Sequence, residues 1–261
     1  MKTRIIHYAV AVCLAMGGVA SGTAMAQQST AGTAALPPGL QVIEPSALTV
    51  IKAMSERLSQ AKTIKFSARV QSQGVSIDNV TVFYMSETDF SIQRPNKLAA
   101  RRTGEGNPTE LIYDGKRLVG VTPEEPVIAL ADAPDNIDDM AVFAFEKAGI
   151  YFPSGVIILS NSYDVLTADL KAAFIVGTTD LVGGVLTNAV ALAGSGVDGQ
   201  FWVGVDDKLP RMITMVYTKE PNRPQVTIEF SDWVLDQPID PATFDTARFL
   251  NRPTTEFARQ D

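Results

Sequence analysis

Lys65-Phe66-Ser67-Ala68-Arg69-Val70-Gln71 decides the fold. Phe66, Ala68 and Val70 alternate with charged or polar neighbours, the period of a strand with one wet face and one dry face. On the C-terminal side, a turn is expected at Gln73-Gly74, and Val75 to Met85 is rich in β-branched and aromatic residues. Further strands are expected at Asp89 to Gln93, Lys97 to Thr103, Glu110 to Tyr113, Lys116 to Thr122 and Pro126 to Leu130. Asp114-Gly115 marks a hairpin between two of them, because its central positions favour positive φ. On the N-terminal side, Pro45 opens a helix whose Ala47, Val50, Ile51, Met54 and Leu58 recur at three- and four-residue steps.

Past residue 135 the pattern changes. Asn136 to Lys147 has helix composition, with Ile137, Met140, Ala141, Ala144 and Ala148 on one face. An apolar stretch through Tyr151-Phe152-Pro153 and Val156 to Leu159 follows, then a short helix from Tyr163 to Leu170. Strands resume at Ala172 to Gly177, Val185 to Leu192, Gln200 to Val205, Arg211 to Lys219 and Gln225 to Leu235, bounded by turn-forming residues. The order is helix, about six strands, helical insert, about five strands. Connections this short suit a continuous antiparallel sheet in an α+β domain, with the insert over its concave face.

The N-terminus carries a separate signal. Lys2 and Arg4 precede an apolar run from Ile5 to Ala20, and Ala24-Met25-Ala26 has the small-x-small form of a cleavage site. Residues 1-26 are therefore expected to be a secretory signal peptide, residues 27-44 a flexible leader and residues 45-261 a single domain. The apolar run is short and broken by Gly17 and Gly18, unlike a spanning helix. Cys13 follows Val12 in mid-run, so a lipid anchor there is not expected, and the protein is not expected to be integral to a membrane.

Composition narrows the chemistry. Of the 261 residues 46% are hydrophobic and 20% charged, with 22 Lys+Arg against 29 Asp+Glu and a net charge of -7. This is the composition of a globular protein, and its acidity argues against nucleic acid as a partner. The single Cys (Cys13) and single His (His7) both lie in the expected signal. Beyond it, thiol or histidine nucleophiles, disulfides and Cys/His zinc sites are excluded by inventory. Ser59-Gln60-Ala61-Lys62 has the Ser-x-x-Lys spacing without its partner motifs, and Gly194-Ser195-Gly196 and Gly115-Lys116 read as turns. The acidic pairs Glu124-Glu125, Asp138-Asp139 and Asp206-Asp207 stand where acids cap helices and solvate turns. No catalytic residue, metal ligand or cofactor is expected. The densest apolar cluster outside the strands is Met140, Phe143, Phe145, Ile150, Tyr151, Phe152, Ile157, Ile158 and Leu159, which would form either a ligand cavity's wall or a closed core.

Four further motifs carry a resemblance: Ile64-Lys65-Phe66-Ser67-Ala68, Gln93-Arg94-Pro95-Asn96-Lys97, Tyr113-Asp114-Gly115-Lys116-Arg117-Leu118 with Pro123 beyond, and Ile239-Asp240-Pro241-Ala242-Thr243-Phe244. In order and spacing the chain resembles the periplasmic outer-membrane lipoprotein carriers, the LolA/LolB-like superfamily, over about residues 45 to 249. Asp198-Gly199-Gln200-Phe201-Trp202-Val203, Leu209-Pro210-Arg211, Arg223-Pro224-Gln225 and Phe230-Ser231-Asp232-Trp233 look like the signature of an uncharacterised secreted bacterial family of that superfamily. Asn188 stands where that family usually has histidine, so no role of that histidine carries over. The resemblance implies a curved antiparallel half-barrel of about eleven strands with helices covering the concave face.

It also implies a periplasmic location and a cavity for a lipid, a lipoprotein acyl chain or another hydrophobic ligand. The ligand-binding residues would be Met140, Phe143, Ile150, Tyr151, Phe152, Ile157, Ile158 and Leu159. Arg94 matches the arginine that holds the helical lid closed in the carriers, the alternative being a surface turn residue. The function expected is a non-enzymatic periplasmic binder of lipid or acylated lipoprotein. The rival is an envelope protein-interaction or sensor module with a filled core, and a hydrolase using acids alone is a third class.

Overall fold

The structure, a computed structural model, describes residues 42–150 and 153–257. The expected signal peptide, most of the leader, Tyr151 and Phe152 lie outside the described residues. Helix α1 (Pro45–Gln60) starts on a proline, whose missing N–H costs nothing in a first turn, and buries Ala47, Ile51, Met54 and Leu58. Six strands follow: β1 (Thr63–Val75), β2 (Thr81–Gln93), β3 (Lys97–Gly104), β4 (Thr109–Tyr113), β5 (Arg117–Val121) and β6 (Ile128–Asp132). The insert holds α2 (Ile137–Glu146), a 3-10 turn (Gly155–Ile158) and α3 (Ser162–Thr167). Then come β7 (Ala172–Thr179), β8 (Thr187–Ala193), β9 (Val197–Gly204), β10 (Pro210–Tyr217) and β11 (Gln225–Leu235). Two 3-10 turns (Pro241–Phe244 and Ala247–Phe249) lead to β12 (Thr254–Thr255).

All twelve strands join one open, curved sheet in the order β12-β6-β5-β4-β3-β2-β1-β11-β10-β9-β8-β7. Pairing is antiparallel except for β12, which lies parallel to β6. The six-plus-five division expected from the sequence holds, with β12 as an additional edge strand too short to have its own pattern. Two local expectations change. The first hairpin turns at residues 76 to 80, where the Ser76 carbonyl accepts from Asn79, the Val80 carbonyl accepts from Ser76, and Asn79 takes φ 59. Gly74 stays in the strand, where its missing side chain makes room for the Tyr84 ring, 2.9 Å from where a Cβ would stand. The stretches Val75 to Met85 and Asp89 to Gln93 are not separate strands: residues 81 to 93 form one strand, in register with β1 from end to end.

At the other edge, Val42 to Glu44 run beside β7. Ala173 N–H donates to the Val42 carbonyl, Glu44 N–H to the Ala173 carbonyl, and Ile175 N–H to the Glu44 carboxylate. These residues, counted from sequence with the leader, thus shield part of an edge strand.

The main core lies between helices and sheet, and a smaller cluster of Val119, Val121 and Ile128 packs with Leu130 and Phe249. The main core joins Ile51, Met54 and Leu58 of α1, Ile137, Met140 and Ala144 of α2, and Ile157 and Ile158 to the inward residues of the strands. At its centre Phe66 stacks on Phe90 (4.8 Å between centroids) and on Trp233 (4.6 Å). Among the described residues no helix is long and apolar enough to cross a membrane.

Candidate ligand cavity

Strand register orders the concave face of β1 to β6 into rows. The deepest row is Ile64, Ile92, Leu98, Tyr113 and Leu118, each fully buried. The next is Phe66, Phe90, Ala100, Leu111, Gly120 and Ala129. Small side chains at Ala100 and Ala129 leave room here that larger residues would fill, and the Phe257 ring packs over Gly120. Above it stand Ala68, Thr88, Arg102 and Thr109, then Val70 and Ser86. A cavity of about 640 Å³ occupies this space. Ile150, Pro153 and Ser154 of the insert and Thr255 and Phe257 of the C-terminal segment complete its wall.

The residues expected to bind ligand divide between this cavity and the core. Ile150 lines the cavity. Met140, Ile157 and Ile158 are buried in the core, and half-buried Phe143 packs against it. Leu159 is buried at the end of the 3-10 turn. Tyr151 and Phe152 fall outside the described residues. Sequence reading missed most of the wall, which consists of inward strand positions such as Val70, Phe90 and Leu111; their alternation was visible, but not that small residues beside them leave space.

Arg94 stands at the closed end of the concave face. Its Nη2 donates to the Ile158 carbonyl (2.7 Å) and the Leu58 carbonyl (3.4 Å), joining the insert to the last turn of α1. Its Nε is buried without a hydrogen-bond acceptor among the described residues. Burial pulls the guanidinium below its usual pKa, against the opposing effect of the Asp138 carboxylate. Pro95, next to Arg94 across a cis peptide bond, accepts from Ile137 N–H, the first amide of α2 (3.0 Å). Asn136 caps the same helix by accepting from Asp139 N–H (2.8 Å), and Asp138 accepts from Ser160 N–H (2.9 Å). The insert is therefore tied to the β2–β3 turn at the start of α2 and at its 3-10 turn.

The Tyr113 hydroxyl donates to the Pro134 carbonyl, and burial, with Asp135 next in effect, pushes its pKa up to about 12. Asp114 accepts from the N–H groups of Lys116 (2.9 Å) and Arg117 (2.8 Å) and from the Thr246 hydroxyl. Burial alone would raise the Asp114 pKa, but these hydrogen bonds, that of Thr246 foremost, outweigh it and hold the carboxyl below its usual range. Among the described residues no group of three or more His, Cys, Asp and Glu is placed to hold a metal ion.

A family model described as "Predicted periplasmic protein (DUF2092)" matches residues 47–249. The chain belongs to this family. The DUF2092 assignment agrees with the secreted family expected from the motifs between Asp198 and Trp233, and with a periplasmic location. No curated protein matches the chain significantly. Solved structures similar to it include the lipoprotein LppX of Mycobacterium tuberculosis (11% identity, 76% of this chain, 98% of that one, TM-score 0.46). Another is the MucA/MucB complex of Pseudomonas aeruginosa (12% identity, 78% of this chain, 62% of that one, TM-score 0.43). A third is the LolA superfamily protein NE2245 of Nitrosomonas europaea (10% identity, 77% of this chain, 98% of that one, TM-score 0.38). At these values none of them bears on what the DUF2092 cavity holds.

Proposed function

We propose that this DUF2092 protein is a non-enzymatic periplasmic binder that holds a lipid, a lipoprotein acyl chain or another hydrophobic ligand between its curved sheet and its insert. The observation that carries this reading is the cavity of about 640 Å³ walled by Val70, Phe90, Ala100, Leu111 and Ile150. It falls within the range of roughly 300–1,000 Å³ common for small-ligand sites. Each buried methylene contributes about 0.8 kcal/mol. A chain of about fifteen thus gives about 12 kcal/mol gross, and an association cost of at least about 4 leaves about 8, a micromolar affinity. Residues 27 to 261 contain neither Cys nor His, which supports a role in binding over catalysis. Arg94 acts as the latch that keeps the insert against α1 while cargo is held.

Native mass spectrometry of protein purified from the periplasm without detergent, followed by solvent extraction, tests the proposal. The expected result is a discrete added mass that extracts as lipid and is lost in Ile150→Asp, which puts a charge on the cavity wall. A bare protein mass that stays unchanged after incubation with lipid overturns it. The rival is a protein-interaction module, favoured by the apolar hairpin between β1 and β2, where Ile77 (77%), Val80 (57%) and Phe83 (56%) are exposed. Affinity capture that returns one stoichiometric protein and no lipid would support that rival.

A further inference from the structure

We infer that the cavity selects amphiphiles with an anionic head group, carboxylate or phosphate, and that Arg102 receives that head while the chain runs toward Phe90 and Ile150. The inference rests on the ligand-binding reading above and specifies the class of ligand. Polarity along the concave face changes in one direction. The row at Phe66, Phe90, Ala100 and Leu111 is apolar, whereas the next row outward sets Thr88 and Thr109 on either side of Arg102. All three line the cavity.

Two acidic residues, Glu110 and Glu125, also line the cavity, and among the described residues neither forms an ion pair with Arg102. Glu110 is opposite Arg101, one residue out of step with the Arg102–Thr109 pair, so both side chains project from the convex face. There Arg101 Nε lies 4.0 Å and Arg248 Nη2 3.8 Å from the Glu110 carboxylate oxygens. Glu125 is on the exposed β5–β6 loop at the rim, where Arg252 donates to the main-chain carbonyls of Pro126 (Nε, 3.2 Å) and Glu125 (Nη2) and leaves the Glu125 carboxylate in solvent. Among the described residues the Arg102 side chain has no ion pair or hydrogen bond. An exposed guanidinium flanked by two hydroxyls at the open end of an apolar cavity offers several donors to an oxyanion and none to a hydrocarbon. A neutral alcohol of the same chain length would gain only the shared burial.

The test compares dodecanoate, dodecyl phosphate and 1-dodecanol by isothermal titration with the full protein stripped of endogenous lipid. At least one anionic ligand should bind about tenfold more tightly than the alcohol. Arg102→Ala should remove that preference, Arg102→Lys should keep part of it, and Arg102→Glu should place the alcohol ahead. Dodecanoate preferred points to free fatty acids, and dodecyl phosphate preferred to phospholipids; either supports the inference. Equal binding of all three ligands, or a preference that survives Arg102→Ala, overturns the head-group assignment and leaves the lipid cavity standing. Binding of none of the three overturns both. Arg102 is exposed, so its variants should melt within a few degrees of the wild type, which separates loss of recognition from loss of fold.

Discussion

Gly120 sits opposite Leu111 and Ala129 in the apolar row, and a Cβ built on it would lie 2.8 Å from Cε1 of Phe257. The missing side chain is thus a seat for a C-terminal aromatic that helps wall the cavity. Gly120→Val should push the Phe257 ring away, at about 1–3 kcal/mol for overpacking. The expected signs are a lower melting temperature and faster proteolytic cleavage near residues 253 to 257; unchanged cleavage would remove Phe257 from the wall. Asp232 is another residue with a specific task. It takes φ 57 beside a register shift between β1 and β11, so Phe230 and Trp233, three apart in sequence, both reach Phe66. In an unbroken strand residues three apart point to opposite faces.

The elements meet through few polar contacts, of which Arg94 makes two. Removing it frees the carbonyls of Leu58 and Ile158, yet also removes a guanidinium that burial disfavours. These effects oppose each other, so Arg94→Met should change global stability by no more than about 1 kcal/mol. Local opening should respond far more strongly. Hydrogen exchange in residues 155 to 160 should quicken several-fold while β1 and β2 keep their protection. Equal protection of the 3-10 turn in both proteins would reduce Arg94 to a structural turn residue. Helix α2 has its own N-cap at Asn136 and should stay helical in the variant.

Across the whole molecule, segments far apart in sequence converge beside the β4–β5 turn. Gly115 (φ 95) leaves space where a Cβ would lie 2.6 Å from Asn96 Nδ2. Lys97 Nζ lies 5.9 Å from the Phe244 ring centroid, and Asp114 accepts from Thr246. The Gln93–Lys97, Tyr113–Leu118 and Ile239–Phe244 motifs thus form one joint that ties the C-terminal segment to the sheet. Because the folded Asp114 carboxyl titrates below its ordinary value of 3.8, its contribution is fully present above that value and is lost as pH falls through the folded pKa. Asp114→Asn should therefore cost about 1–3 kcal/mol at pH 7 in urea unfolding, and the gap from the wild type should shrink near pH 2. A constant gap between those pH values would assign the loss to shape and not to charge.

Strand and helix periodicity were legible from local pattern alone, because a strand's alternation and a helix's apolar stripe each need only neighbours in sequence. That sufficed for the six-plus-five strand order and for α1 and α2, while the inventory alone leaves residues 27 to 261 without Cys or His. Hairpin placement was less legible, since Gly74 is used for cross-strand contact with Tyr84 and not for turning. The cavity wall lay beyond local pattern altogether. Whether Ile157 meets ligand space or core, and whether Ala100, Gly120 and Ala129 leave a gap, depends on which strands become neighbours and on where the insert and Phe257 come to rest. Local sequence specifies the face on which a side chain stands; only the closed tertiary packing determines whether anything occupies the space opposite it.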